Sequence, residues 1–467
     1  MSLGNENSSK LTTRNRTILM AVLLSGAFAA ILNQTLLATA IPHIMEDLNL
    51  EANTAQWLQS IFMLVNGIMI PITAFLINKF STRTLFFTAM SLFGLGTLIC
   101  GISPNFPLLM TGRILQAAGA GIIMPLMQTI LFLVYPRSER GKAMGMFGLV
   151  ISFAPAIGPT LSGWFIDIYP WRGLFYMILP IVVIDLIVAY FILRNVTEKT
   201  NPKLDMISII LSTLGFGGLL YGFSAAGDSG WLSLTVLLPI IIGAIALTMF
   251  IKRQNRLEEP ILEFGVFKDK TFTLSTVLGM IVFMSMIGGA VVLPIFMQTM
   301  LGFSAMESGM MLLPGALIMG LMSPVTGRLF DKYGARWLAI IGLGMLGVTT
   351  LMFATLDTET TFTYLAVVNS FRMLGVAMVM MPVTTSALNQ LSNKLVPHGT
   401  AMNNTMRQVA GAVGTALLVS IMTNTVKPDE GVPGMIHGVN MSFLFAGILA
   451  LIGFVLAFKL KNTKDMD

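Results

Sequence analysis

Five ionisable side chains lie within long apolar stretches of this sequence: Asp185, Glu307, Arg113, Arg372 and Arg407. Asp185 stands in the run PIVVIDLIVA, with apolar residues on both sides. A charge at the middle of a bilayer costs about 3 kcal/mol on insertion scales, so such residues are usually functional, neutralised or paired. The two acids could bind and release a proton. An arginine keeps its charge and needs an anion, a carbonyl oxygen or water as its partner.

Each of the two acids has two interpretations. Asp185 could carry a proton, or it could be a neutral hydrogen-bonding acid that holds two helices together. Glu307 lies near the start of a long apolar segment, and Ser304 precedes it by three positions. A serine followed three residues later by a glutamate at a helix start is the pattern of a capping box. Glu307 could therefore carry a proton or satisfy free amides of the helix start.

The elements that must position these residues are membrane helices. Hydrophobic residues make up 55% of the 467 and charged residues 11%, with a mean hydropathy of +0.81. No soluble domain can bury so much apolar surface, and about 20 apolar residues cross a bilayer. We predict fourteen transmembrane helices near 17–42, 55–77, 84–102, 107–134, 142–166, 173–194, 206–226, 231–252, 271–298, 305–327, 335–355, 361–390, 397–424 and 439–460.

The distribution of basic residues predicts the orientation. Of the 28 Lys and Arg, 23 fall in the terminal tails and in the loops after even-numbered helices. Because cytoplasmic loops carry the excess of Lys and Arg, both termini are expected in the cytoplasm. The net charge of +6 therefore reflects topology, and nucleic-acid binding is not expected.

A passage beginning at Pro71 returns 253 positions later at Pro324, each time where an apolar segment meets a basic loop. At this offset, helices 1–6 match helices 9–14, and helices 7–8 remain as an insertion. Parallel repeats of this kind build many secondary transporters. The predicted units are an N-terminal tail (1–16), a six-helix bundle (17–194), inserted helices with linkers (195–270), a second six-helix bundle (271–460) and a C-terminal tail (461–467).

The repeat, the insertion and the loop sequences resemble the major facilitator superfamily, and more narrowly its fourteen-helix drug:proton antiporters. The family's loop pattern between helices 2 and 3 is matched by Gly327, Asp331, Lys332, Gly334 and Arg336. In the N-terminal copy the acid is replaced by Asn78. The resemblance implies an all-α membrane fold of two pseudo-symmetric six-helix bundles. It also implies that this motif latches the two halves on the cytoplasmic side; the latch candidates are Asn78, Lys79, Arg83, Asp331, Lys332 and Arg336.

Helix 5 is similar to the antiporter motif of the same family at Gly145, Gly158, Pro159 and Gly163. Small residues let helices approach closely, and a Gly-Pro step can bend a helix. The resemblance implies that this helix seals the halves against proton leak.

Helix 1 departs from the antiporters, which commonly have an aspartate in an L-D-x-T pattern where this chain has Asn33. The Leu-Asn-Gln-Thr version resembles a branch associated with lincosamide resistance. Because an amide cannot carry a proton, Asp185 and Glu307 become the candidates for proton coupling. Arg113, expected at the depth of Asn33, would favour zwitterionic or acidic compounds; alternatively it binds backbone carbonyls.

The remaining candidates for a substrate cavity are polar or adaptable residues within the predicted helices, although many such amides serve as hydrogen bonds between helices. Together with Asn33 and Arg113 they are Gln34, Gln59, Asn66, Gln116, Phe296, Met297, Gln298, Asn369, Arg372, Asn403, Asn404 and Arg407.

The sequence thus predicts a multi-pass cell-membrane protein that exports amphipathic drugs by alternating access, driven by protons. The alternatives are an exporter or symporter of one metabolite, or a sensor that no longer transports. No phosphate-binding loop is present, so ATP is not expected as a partner. The chain has one cysteine, no spacing typical of metal ligands and no nucleophile–base pair. We therefore expect no metal, no other cofactor and no enzymatic activity.

Overall fold

The computed structural model describes residues 13–166, 168–193, 195–196 and 204–461. Within these ranges it does not describe the side chains of 13–15, 38–39, 52–53, 159 and 227–229. Most of both predicted tails, and the side chain of Pro159, therefore lie outside the described residues.

The described chain is helical throughout, and fourteen of its helices are long and apolar enough to cross a membrane. This confirms the predicted number of spans. The helices are α1 (Thr13–Leu48), α2 (Ala52–Lys79), α3 (Thr82–Ile102), α4 (Phe106–Val134), α5 (Arg140–Ile166), α6 (Gly173–Ile192), α7 (Met206–Ser229), α8 (Leu234–Gln254), α9 (Lys270–Ile295), α10 (Ala305–Tyr333), α11 (Ala335–Met352), α12 (Phe362–Asn389), α13 (Val396–Asn424) and α14 (Val432–Ala457).

Several helices extend beyond the predicted apolar segments. The helix α10 continues to Tyr333, where Gly334 follows with φ = 80°, so the Asp331 motif lies in the last turns of a helix rather than in a loop. The helix α14 begins at Val432, directly after Gly431 with φ = 62°. Apolarity marks only the part of a helix that is in lipid, whereas the hydrogen-bonded helix continues until a residue with a different backbone conformation ends it.

The two sets of six helices pack in the same way. In the N-terminal half α1 packs on α5 and α6, α2 on α4, and α3 on α4 and α6. In the C-terminal half α9 packs on α13 and α14, α10 on α12, and α11 on α12 and α14. The contacts thus reproduce the repeat seen in the sequence, helix for helix.

The halves meet most extensively through two pairs of helices that are equivalent under the repeat, α5 with α10 and α13 with α2, and also through α5 with α12 and α4 with α13. The inserted helices α7 and α8 pack on each other, and α7 also packs on α2 and α13. Trp57 of α2 stacks on Tyr221 of α7 with ring centroids 5.9 Å apart. The insertion therefore covers one of the two seams between the halves.

Candidate functional site

Arg113 of α4 is fully buried inside the N-terminal half. Its Nη1 donates to Asn33 Oδ1 and to Gln116 Oε1, both at 2.9 Å, and its Nε donates to the Leu58 carbonyl at 3.1 Å. The guanidinium also lies 4.4 Å from the centroid of the Phe62 ring. The structure thus places Asn33 and Arg113 at the same depth, as predicted, and it also shows the carbonyl contact of the alternative interpretation.

Arg372 of α12 has the same place in the C-terminal half. It donates to the carbonyl of Ser285 on α9, to the Ser285 hydroxyl at 3.2 Å and to the Thr350 hydroxyl of α11 at 3.4 Å. In the N-terminal half, Gln116 donates to Thr97 of α3 at 2.9 Å, and Thr97 precedes Thr350 by the repeat offset of 253. In each half, the buried arginine lies on the fourth helix of the bundle. The arginine and its neighbours link the first and third helices by hydrogen bonds.

Asp185 of α6 is 4% exposed. Its Oδ1 accepts a hydrogen bond from Ser25 of α1, and its Oδ2 is buried without a partner. A Cβ atom added to Gly26 would lie 3.5 Å from that oxygen and 3.2 Å from the sulfur of Met90 on α3. The carboxyl therefore lies among α1, α3 and α6, within the N-terminal half rather than between the halves.

Glu307 forms the capping box that the sequence allowed. Its Oε2 accepts hydrogen bonds from the Ser304 amide at 2.8 Å and the Ser304 hydroxyl at 2.9 Å, and its own amide donates to that hydroxyl at 3.1 Å. The side chain is exposed at the first turn of α10. Capping thus accounts for every hydrogen bond that this carboxylate makes in the described structure.

Asp331, in the last turns of α10, binds the first turn of α5 in the other half. Its two oxygens accept hydrogen bonds from the amides of Gly141 at 2.7 Å and Lys142 at 2.8 Å. These amides have no partner within their own helix, and the start of a helix attracts negative charge. Close approach of the two helices is part of this contact, because a Cβ atom on Gly327 would lie 2.2 Å from the Gly141 carbonyl oxygen.

Asn78, the equivalent residue of α2, makes a different contact. Its side-chain amide lies 2.9 Å from Nε2 of His398, at the start of α13. The Nδ1 of His398 accepts from the Glu263 amide at 3.3 Å, so the ring contacts both Asn78 and the linker before α9. Sequence reasoning missed His398 because nothing local marks a histidine at a helix start as the partner of a residue 320 positions away.

The basic residues of the two motifs contact their own half. Lys79 and Lys332 each lie over an aromatic ring of their own helix, at 5.4 and 5.0 Å from its centroid. Arg83 lies 4.9 Å from the ring centroid of Tyr190 and donates to its carbonyl at 2.9 Å. The Nε of Arg336 is buried without a partner. Within the described residues, the contacts across the halves at these motifs thus come from Asp331 and Asn78 rather than from the cations.

Among the described residues, two further hydrogen bonds join the halves. Arg140 at the start of α5 donates to Asn389 at the end of α12 at 2.9 Å, and Asn404 of α13 donates to Gln128 of α4 at 2.7 Å. Arg407, one turn further along α13, donates to Asn404 at 3.2 Å.

The glycines of the helix 5 motif have three different surroundings. A Cβ atom on Gly145 would lie 2.5 Å from the Ser323 carbonyl oxygen of α10, across the halves. One on Gly158 would lie 2.1 Å from the Thr35 hydroxyl of α1, within the N-terminal half. Gly163, nearest the other end of α5, would meet nothing within 4 Å. The halves are therefore in close contact at the Asp331 end of α5, whereas an added Cβ on Gly163, near the opposite end, meets no neighbouring atom.

The remaining predicted cavity residues divide into two groups. Phe296 and Met297 are fully buried in a hydrophobic cluster of the C-terminal half, so the expectation that these two side chains line a cavity is wrong for this conformation. Their neighbour Gln298 is exposed, and all three residues lie in a turn of π-helix (Phe296–Met300) that follows α9.

The other predicted amides are buried or partly buried inside the bundles. Asn66 and Asn369 have buried side-chain atoms without a partner, and Asn403 donates to Thr276 of α9 at 3.4 Å. Gln34 and Gln59 are partly buried. Small residues again set the packing, since a Cβ atom on Gly315 would lie 2.7 Å from the Asn369 amide nitrogen.

Known proteins were compared with this chain. The family model described as Major Facilitator Superfamily matches residues 23–415. The chain is 54% identical over 452 residues to the uncharacterized MFS-type transporter YcnB of Bacillus subtilis, covering 96% of each chain. It is 42% identical over 457 residues to the lincomycin resistance protein LmrB of Listeria monocytogenes, covering 96% of this chain and 97% of that one. The solved structure of the human organic anion transporter MFSD10 has the same fold, with a TM-score of 0.71 at 15% identity over 95% of this chain and 99% of the other.

Proposed function

Because this chain belongs to the major facilitator superfamily, whose members are transporters rather than enzymes, we propose that it exports amphipathic antibiotics and other drugs by alternating access, driven by the proton gradient. The relation to LmrB, whose name states lincomycin resistance, supports an antibiotic as substrate. The cell membrane is the proposed location, with both termini in the cytoplasm as the basic residues predict.

The unequal contact between the two ends of the halves is the observation that carries this proposal. At one end Asp331 binds the start of α5, and Gly141 and Gly327 bring the two backbones together. Towards the other end, neither Gly163 of α5 nor Gly309 of α10 has an atom within 4 Å of an added Cβ. With the termini in the cytoplasm, the closed end is the cytoplasmic end, and we take the arrangement as an outward-facing state, one of the two states that alternating access requires.

We assign proton coupling to Asp185 rather than to Glu307. Glu307 is exposed and its hydrogen bonds are those of a helix cap. Asp185 is buried, and its hydrogen bond to Ser25 is made to α1, the helix that also carries Asn33 and contacts Arg113. A proton gained or lost at Asp185 changes what α1 binds, and α1 packs directly on α5 of the seam.

The test uses purified protein in proteoliposomes that contain a pH-sensitive dye. Lincomycin and protons should move in opposite directions, and Asp185→Asn should bind lincomycin but lose transport driven by the pH gradient. Glu307→Gln is the matched control and should pump like the parent. Movement of drug and protons in the same direction would indicate a symporter, and no drug-dependent proton movement would indicate a protein that does not transport. Normal coupling in Asp185→Asn would remove the assignment of the proton site.

A further inference from the structure

Arg407 differs from the other buried arginines of the membrane helices in how little it binds. Arg113 and Arg372 each donate to three oxygen atoms, although one guanidinium nitrogen of each is also buried without a partner. Arg407 is 4% exposed, and within the described residues its one hydrogen bond is the 3.2 Å contact from Nη2 to Asn404 Oδ1. Its Nε is buried without a partner. A buried cation with one neutral acceptor is costly unless something else supplies negative charge.

Arg407 determines which atoms of Asn404 and Gln128 donate and which accept hydrogen bonds. Because a guanidinium can only donate, Asn404 turns its oxygen to Arg407 and its NH₂ group to Gln128. Gln128 therefore accepts with its oxygen, at 2.7 Å, and its own NH₂ group is left buried without a partner. We name Gln128, Asn404 and Arg407 the donor cluster, since its free groups are N–H donors beside a positive charge.

No acid of the described chain neutralises the donor cluster. The ion pairs of the described residues are Arg172 with Asp47, Arg253 with Asp205 and Lys427 with Glu430. A site with unused donors and an unpaired cation is complementary to an anion. An anion from outside this part of the chain would supply the partner that the described residues do not provide.

The donor cluster lies at the seam, on the inner side of the contact that closes the halves. The hydrogen bond from Asn404 to Gln128 joins α13 to α4, in opposite halves. Arg407 lies nine residues after His398, which is about 13 Å further along the helix from the closed end. A ligand between the halves would thus reach Arg407 before it reached the closing contacts.

We propose that the donor cluster binds the carboxylate of an anionic or zwitterionic amphipathic substrate. This inference rests on the proposed export function and names its substrate class. A carboxylate that takes the guanidinium of Arg407 competes with Asn404, whose amide also holds Gln128 across the seam.

The test is a binding measurement on purified protein in lipid nanodiscs, with empty nanodiscs as the background. The probes are 1-pyrenebutyrate and its uncharged amide, which share one aromatic body and differ in the carboxylate. The parent should bind the carboxylate at least about tenfold more tightly than the amide. Arg407→Gln should lose this preference and keep its affinity for the amide.

Gln128→Glu is a second test, which does not depend on whether the Arg407 variant folds. This nearly isosteric change supplies a carboxylate from the protein itself, so it should abolish the preference for pyrenebutyrate while raising the Tm. Gln116→Glu places the same charge beside Arg113 and should leave the preference in place. If Gln116→Glu abolishes the preference and Gln128→Glu does not, Arg113 is the anion site and the proposal is overturned.

Two other results would also overturn it: a parent without any preference for the carboxylate, or a preference that persists in Arg407→Gln. Competition by chloride at the same site, without a preference for pyrenebutyrate, would show an inorganic anion site instead of a substrate site. The lincomycin transport assay is independent of this binding experiment. The export function can therefore fail while the anion site is confirmed, and the reverse can also happen.

Discussion

The two seams between the halves are equivalent by the internal repeat, yet they are closed by different chemistry. At the α5–α10 seam, the carboxylate of Asp331 binds free amides at the start of a helix. At the α2–α13 seam, Asn78 meets the neutral ring of His398, which also accepts from Glu263 of the linker before α9.

The two seams also differ in which helices pack on them. The α2–α13 seam is covered by α7, and Trp231, between α7 and α8, donates to Ser420 of α13 at 2.5 Å. Within the described residues, the α5–α10 seam has no inserted helix packed on it. An ionised acceptor makes the stronger hydrogen bonds, by roughly a factor of two. The seam that α7 covers thus has the neutral contact, and the seam without an inserted helix has the ionised one.

The largest expected effect concerns which side of the membrane both seams face. Cysteine introduced at Lys332 should react with an impermeant maleimide from the cytoplasmic side only, and cysteine at Glu359 from outside only, because the basic loops are retained in the cytoplasm. Cys100 is buried and serves as the unreactive background. Reversed labelling would place the closed seams on the outer face and contradict the outward-facing assignment.

The second-largest effect is expected from a substitution of glycine at the α5–α10 contact. Gly327→Ala should shift the equilibrium away from the closed contact by about 3 kcal/mol, roughly a hundredfold, because the new Cβ atom would meet backbone that cannot rotate away. Distances between spin labels at Glu139 and Lys394 measure the closed fraction. Gly309→Ala is the matched control on the same helix, where an added Cβ meets nothing within 4 Å. Equal closed fractions in the two variants would refute the backbone contact.

Asp331→Asn should open the same seam less strongly. The asparagine keeps one acceptor but presents an NH₂ group to the second backbone N–H, and it removes the charge at the start of α5. We expect a loss of about 2 kcal/mol in the closed state, about 30-fold, with impaired lincomycin export at equal expression. Asp429→Asn, exposed at the other end of the molecule, is the control. Parent-like closure in Asp331→Asn would show that the glycine contact suffices without the acid.

His398→Ala should have the smallest effect, because it removes neutral hydrogen bonds worth about 1 kcal/mol, or about fivefold in closure. Asn78→Asp should be tolerated or should favour the closed state, because a carboxylate is a better acceptor for the imidazole N–H. His437→Ala is the control for loss of a histidine. The same pair of spin labels reports both variants. A loss for His398→Ala as large as that for Asp331→Asn would mean that the neutral seam carries equal weight.

Much of the architecture was determined by the sequence itself. Apolar length marked all fourteen spans, and the recurrence at Pro71 and Pro324 indicated two equivalent halves, because lipid imposes a local and regular demand on each helix. The capping box at Glu307 was also readable, since its partners lie three residues apart. The depth match of Asn33 and Arg113 followed from counting residues along helices of known rise.

The tertiary structure alone decided which polar groups meet. Phe296 and Met297 lie in a π-helical turn after α9 and are buried in the core of the C-terminal half. His398 found Asn78, and Arg407 came to share Asn404 with Gln128, across more than 270 positions of chain. Such pairs depend on which helices approach and how closely. Small residues and backbone contacts determine how closely two helices approach, and the periodicity of residues within one helix does not predict it.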